Sequence, residues 1–233
     1  MTEYILDNVD CVVDFLRTHL VDPRARAEAS HTNNLTATAG QTVFTVTPSV
    51  GTVSCITAIT VNAASKSKWQ DYYWDYQNSK ITFFTALSLN DAVVITFKQG
   101  TSNWIYGDKP ENKLSNDSFP RIACFLVSGS GARLGQYESP VQASSMFQCD
   151  IWTRNDQVFT INSRKYSNDY LGRYIGGRIT KAFEDNESDL FPVLYGYTPA
   201  SVPRAAPESV EYQAYHTVLE INMKCLDSGR IEK

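Results

Sequence analysis

Gln41-Thr42-Val43-Phe44-Thr45-Val46-Thr47, followed by Ile81-Thr82-Phe83 and Ala92-Val93-Val94-Ile95-Thr96-Phe97, sets the character of residues Gly40 to Gly100. Val43, Thr45 and Thr47 alternate with Phe44 and Val46, and the Ala92 to Phe97 run is entered through Leu89-Asn90-Asp91. Period-two patterning in Val, Ile, Thr, Phe and Tyr, punctuated by Gly, Asn, Asp and Pro, predicts half-buried antiparallel strands. The block stands between an amphipathic helix and an α/β segment, so it reads as a small β-module set into another domain. Such a module binds or assembles more often than it catalyses, although a fold alone does not define a function.

Upstream, Ile5, Val9, Val12, Val13, Leu16 and Leu20 form a helical stripe over Tyr4 to Leu20, with Asp7, Asp10 and Asp14 mostly off it. The helix should end before Val21-Asp22-Pro23, because proline disfavours helical geometry in the residue ahead of it. Arg24 to Ala39 is polar and reads as a linker into the module. A second linker, Thr101 to Pro120, surrounds Trp104-Ile105-Tyr106. Beyond it, Arg121 to Ser128 predicts a buried strand. A strand over Ala143 to Trp152 follows, with Ala143, Phe147, Cys149 and Ile151 on one face, and Val158 to Asn162 is a short extended piece.

Ser167 or Asn168 is placed to cap a second helix with the stripe Leu171, Ile175, Ile179, Ala182 and Phe183. Phe191 to Tyr197 predicts a strand. Tyr197 to Pro207 holds Pro199, Pro203 and Pro207, cannot pair as a central strand, and reads as a long exposed loop or arm. Val210 to Leu226 alternates as a closing strand, with Tyr215, Leu219, Ile221, Met223 and Cys225 in one phase. The expected fold is α+β: an antiparallel sheet packed with two helices from residues 1–33 and 112–233, and an inserted all-β, sandwich-like domain at 34–111 with its linkers.

With 42% hydrophobic and 20% charged residues in 233, the chain can bury a core, and the composition favours neither disorder nor a coiled coil. Apolar runs such as Ile122 to Val127 are far too short to cross a bilayer, so no membrane partner is expected. Acids in Met-Thr-Glu-Tyr-Ile-Leu-Asp stand where a secretory signal would be basic, so export by that route is not expected. Cys11, Cys55, Cys124, Cys149 and Cys225 are odd in number and lack CxxC spacing, which fits buried thiols in a reducing compartment better than zinc or a disulfide framework. A net charge of −4 without basic blocks argues against specific nucleic-acid binding, yet would let a nucleic acid slide past.

His19, His31 and His216 are scattered, and the HExxH, Walker and Gly-x-Ser-x-Gly patterns are absent, so no catalytic, cofactor or metal residues are expected. Gly129-Ser130-Gly131-Ala132-Arg133-Leu134-Gly135 imitates a dinucleotide turn. Its last glycine comes one residue late and no helix opens after it, so a hairpin tip is expected. In the cluster Trp69, Tyr72, Tyr73, Trp74 and Tyr76, strand geometry sends Tyr72, Trp74 and Tyr76 to one face and Asp71, Tyr73 and Asp75 to the other. Core packing is the main reading, and Trp69 with Tyr73 is the candidate exposed aromatic face for a sugar or receptor. Asp71, Asp75 and Asp91 lack calcium-loop spacing and read as solvated acids.

With the module set aside, the order is helix, strand, strand, helix, strand, strand, opened by Phe119-Pro120-Arg121-Ile122. This order resembles the tail-terminator, or tail-completion, proteins of long-tailed bacteriophages. The similar runs are Gln148-Cys149-Asp150-Ile151-Trp152-Thr153-Arg154, then Tyr166-Ser167, and the closing Tyr215-His216-Thr217-Val218-Leu219-Glu220-Ile221. The central block looks like small β-domains of phage tail and fibre proteins, an insertion that the terminator pattern lacks.

The resemblance implies a virion protein, assembled in the host cytoplasm. It would form a homo-oligomeric ring, commonly a hexamer, that caps the tail tube and joins it to the neck. The implied partners are further copies, the tail tube protein and neck or connector proteins, with DNA passing through the channel unbound. Candidate interface residues are Tyr197, Pro199, Pro203, Arg204 and Pro207 of the arm, with Arg133. A carbohydrate- or receptor-binding tail module is the other reading.

Overall fold

The computed structural model describes residues 8–26, 28–75, 78–100, 103–107, 119–133, 141–154, 156–190, 194–209 and 214–227. Tyr4–Asp7, Tyr76, Leu134–Pro140, Phe191–Val193 and Val210–Gln213 lie outside them, as do the side chains of Ala143 and Cys225. The architecture is mixed α and β, mostly antiparallel sheet with two helices. The chain divides into two compact units, Met1–Ala25 with Trp104–Lys233, and Arg26–Asn103.

In the unit Arg26–Asn103, β1 (Glu28–Thr36), β7 (Ala92–Gly100), β3 (Thr52–Val61) and β4 (Ala64–Ser65) form one antiparallel sheet in the order β1-β7-β3-β4. A second sheet runs β2 (Val43–Thr45), β6 (Lys80–Phe83), β5 (Tyr72–Asp75). Phe44, Val46, Val53, Ile59, Trp74, Ile81, Ile95 and Phe97 of the two sheets share one hydrophobic cluster, as the alternation predicts. The first expected linker is a correction. Glu28–Thr36 pairs along its whole length with β7, and the division between units falls before Arg26, not at residue 34. This strand is an edge, half-exposed to exposed throughout, so its backbone ladder holds it without an apolar face to betray it.

The second expected linker is corrected in the same way. Ile105 is fully buried in β8 (Ile105–Tyr106), which pairs in parallel with β9 (Arg121–Arg133), and the division falls before Trp104, not after residue 111. This discontinuous unit builds a six-stranded sheet in the order β13 (Leu194–Pro199), β15 (Ala214–Asp227), β10 (Val141–Arg154), β9, β8. The sixth strand, β14 (Arg204–Ser209), also pairs with β15. Strand β9 extends through the glycine-rich run to Arg133, beyond the Ser128 expected, and Arg133 pairs with Val141. A separate hairpin, β11 (Val158–Ile161) with β12 (Arg164–Ser167), leads into the second helix.

Helix α1 (Asn8–His19) buries Cys11, Val12, Val13, Phe15 and Leu16, and its acid-first, base-last ends suit the helix dipole. Helix α2 (Asn168–Asn186) buries its whole predicted stripe, Leu171, Ile175, Ile179, Ala182 and Phe183. Ser167 stands at the N-cap position in extended geometry, but its side chain makes no capping bond. Phe15 and Phe183 stack at 4.7 Å, which joins the helices.

The helix meets the sheet through two glycines. A β-carbon at Gly172 would run into Thr217 of β15, and one at Gly176 would lie 2.6 Å from Pro203 Cγ. Gly177, one position on, faces open space. Gly176→Ala and Gly172→Ala should therefore each cost about 1–3 kcal/mol from overpacking. Gly177→Ala should stabilise by about 0.5–1 kcal/mol through helix propensity. Urea denaturation of the three variants checks this; equal effects at all three positions would mean that α2 does not sit this close. A second outcome concerns the units. Residues 26–103 expressed alone should unfold in one cooperative step, since they hold their own core; a non-cooperative melt would show that the core is incomplete without the rest.

Candidate functional site

From Phe147 to Trp152 the β9–β10–β15 register is unbroken, the one shift falling between Met146 and Phe147, so residues there sort onto two faces. Ile122, Cys124, Phe147, Cys149, Ile151, Thr217, Leu219 and Ile221 form the helix-facing side and are buried. On the opposite face, Arg121, Trp152 and His216 fall in one row across the three strands, because Trp152 pairs with Arg121 on one side and His216 on the other. Asp150 and Gln148 follow on β10 in the same phase.

The row is a stack. Trp152 and His216 lie ring on ring at 4.1 Å and 2°. Arg121 places its guanidinium 5.9 Å from the Trp152 ring centroid and 5.0 Å from that of Phe119. Gln148 Nε2 donates to Asp150 Oδ1 at 2.7 Å. His216 Nε2 approaches the same oxygen at 3.1 Å, without the alignment of a hydrogen bond. Asp150 is only 6% exposed and Arg121 8%. Arg121 Nε and Nη1 are buried and donate to no acceptor among the described residues. Burial pushes the Arg121 guanidinium down to about 10, partly opposed by the nearby Tyr106.

Chemically, this cluster is a planar cation–aromatic ladder with one buried carboxylate. Among the described residues, no group of three His, Cys, Asp or Glu converges to hold a metal. His19 and His31 lie elsewhere, His19 against Asp189 at 3.0 Å and His31 edge-on to Phe97. Sequence reasoning named His216 but missed its neighbours. The only signal available was the shared phase of Gln148, Asp150 and Trp152 on one strand.

The arm expected at Tyr197 to Pro207 is a correction. Tyr197 to Pro199 belong to β13 and Arg204 to Pro207 to β14, which together cover the edge of β15 left by β10, and only Ala200 to Pro203 form a connection between them. Tyr197 stacks on Phe183 at 5.1 Å, and its phenol is pushed up, chiefly by burial. Glu187, in a 3₁₀ turn at Glu187–Leu190, accepts bonds from the Gly196 and Tyr197 amides, which fixes the irregularity in β13. Pro199 pairs opposite Ile221, Pro203 packs on Gly176, and Arg204 pairs opposite Val218. Pro207 falls in the irregular step between Ala206 and Ser209. Proline is tolerated at such edge and bulge positions, which is why three of them did not prevent pairing. What projects is the corner between the strands, where Val202 is 79% exposed.

Trp69 is also corrected: it is 3% exposed and cannot serve an exposed platform, while Tyr73 is half-buried and stacks on Phe84 at 6.4 Å. Tyr72 and Trp74 are buried, as the alternation predicts. Asp71, Asp75 and Asp91 are not simply solvated. They accept the amides of Ser67, Asn78 and Ser88 at 2.8, 3.0 and 2.7 Å and hold three separate turns. A cleft of about 360 Å³ lies between the end of α1, the β11–β12 hairpin and α2, lined by Leu20, Val21, Trp104, Ile161, Tyr174 and Arg178.

No family model matches this chain, and no curated protein is similar to it. Among the described residues, no helix is long and apolar enough to cross a membrane.

Arg121 should weigh against stability. In the unfolded chain it stays protonated to higher pH, so the folded state bears the full burial cost below about pH 10 and recovers it as pH rises further. Arg121→Met should therefore stabilise the chain by about 1 kcal/mol at neutral pH after the lost stacking is counted. The gain should be constant between about pH 6 and 9 and shrink above 10. Destabilisation on denaturant titration would mean that the guanidinium is a net structural tie.

Proposed function

We propose that this chain is a non-catalytic structural component of a tailed-phage virion. It forms a closed homo-oligomeric ring at the head-to-tail junction, terminating the tail tube and joining it to the neck. The observation that carries this reading is the arrangement of the discontinuous unit. There α1, the long β9–β10 pair and α2 keep the helix, strand, strand, helix part of the order on which the tail-terminator resemblance rests, with both helices against one side of the sheet; β8, the β11–β12 hairpin and a third strand after α2 are additions to it.

Other features support assembly. The β13–β14 corner exposes Val202, the cleft exposes Val21, and β11 and α2 expose Val158 and Tyr170, so apolar surface is available for a neighbour. Within Arg26–Asn103, β1 is a nine-residue edge with no strand beyond it among the described residues. Such edges are either protected or used for pairing. We read that unit as an inserted, sandwich-like β-domain that decorates the ring. A ring arises when one surface of each copy meets a different surface of the next and the rotation closes. The net charge of −4 suits a channel that passes DNA without holding it.

Multi-angle light scattering and negative-stain imaging, with the protein alone and mixed with isolated tail tubes, test the reading. The expected result is a ring of about six protomers of 26.1 kDa, formed alone or on the tube end. A protein that stays monomeric and never joins a tube would overturn it.

A further inference from the structure

Cys124 of β9 and Cys149 of β10 stand directly opposite one another in register, with their sulfurs 3.5 Å apart. Both are free thiols and fully buried on the helix-facing side of the sheet. Directly opposed residues on antiparallel strands have β-carbons about 4.5–5.5 Å apart, close to the roughly 3.5–4.5 Å that a disulfide spans. The sulfurs must close by about 1.5 Å, from 3.5 Å to the roughly 2.05 Å of a disulfide bond, with no change of register.

We propose that Cys124 and Cys149 are a modification site: a reversible intrachain disulfide that closes in an oxidising medium and staples β9 to β10 in the middle of the sheet. The co-reactant is a low-molecular-weight disulfide. The thiolate of one cysteine attacks it, forming a mixed disulfide and releasing one small thiol. The second cysteine then displaces the other small thiol and forms the Cys124–Cys149 bond. In sum, two protein thiols give up two protons and two electrons, and one small disulfide becomes two thiols.

Folded, the pair is shielded. The contact with Cys149 and burial hold the Cys124 thiol well above its ordinary range, so closure passes through brief openings of the sheet. In a reducing compartment the thiols persist as packed side chains, and in an oxidising one the staple accumulates. The bond would span 25 residues of chain and raise the melting temperature by about 5 °C.

The test uses the full native chain, held for days in oxidised glutathione or in reductant, then alkylated, digested with trypsin and analysed by mass spectrometry. The sequence separates the two sulfurs into peptides Ile122–Arg133 and Leu134–Arg154, so a closed bond appears as one linked species. The expected result is that this species dominates in oxidant, reverts with reductant and accompanies the upward shift in melting. Cys11 and Cys55, also buried, report any general oxidation. Thiols left unlinked in oxidant, or glutathione attached to each cysteine separately, would overturn the proposal.

Discussion

Helix α2 can lie against the sheet only because Gly172 and Gly176 carry no side chains where Thr217 and Pro203 stand. Much of the discontinuous unit depends on that approach. With the helix so close, Ile175, Ile179 and Phe183 sink fully into the core, and Phe183 is carried between Phe15 of α1 and Tyr197 of β13. One ring thus links both helices to the edge of the sheet. The cost is two residues of poor helix propensity, offset by apolar area buried on every side of the contact.

The same contact explains how β13 and β14 are held. Neither strand is long, and both pair irregularly with β15. Pro203 between them rests on the helix, Glu187 binds two amides of β13, and Tyr197 stacks inward. Three anchors from α2 and its following turn replace the continuous ladder that the prolines interrupt. The edge of β15 is therefore covered rather than open, and the exposed part shrinks to the Val202 corner.

Opposite the helices the sheet is polar and aromatic. Arg121, Trp152 and His216 line up only because β9, β10 and β15 are in that register. A slip of one residue would exchange this face with Cys149, Ile151 and Leu219, so the buried charge and the hydrophobic core specify the register together. Asp150 takes Gln148 as its hydrogen-bond donor within this ladder.

The amino-acid pattern by itself determined the elements that carry an apolar rhythm. Both helical stripes, the alternation of Phe44 with Val46, and the buried phase of Phe147, Cys149 and Ile151 were legible because one face of each element is removed from water. Strand β1, the proline-bearing end of β13 beyond Tyr197, and β14 were not legible, whereas the Leu194 to Tyr197 part of β13 falls within the strand expected from Phe191 to Tyr197. Their structure rests on backbone bonds to a neighbour distant in sequence, and an edge strand needs no apolar face. Trp69 was placed on the wrong side for a related reason: it sits in a turn at φ +65°, where strand alternation no longer predicts direction. Only the tertiary structure could bring Arg121, Trp152 and His216 into one row and Cys124 to Cys149, because each meeting is set by strand register over tens of residues, which no local pattern encodes.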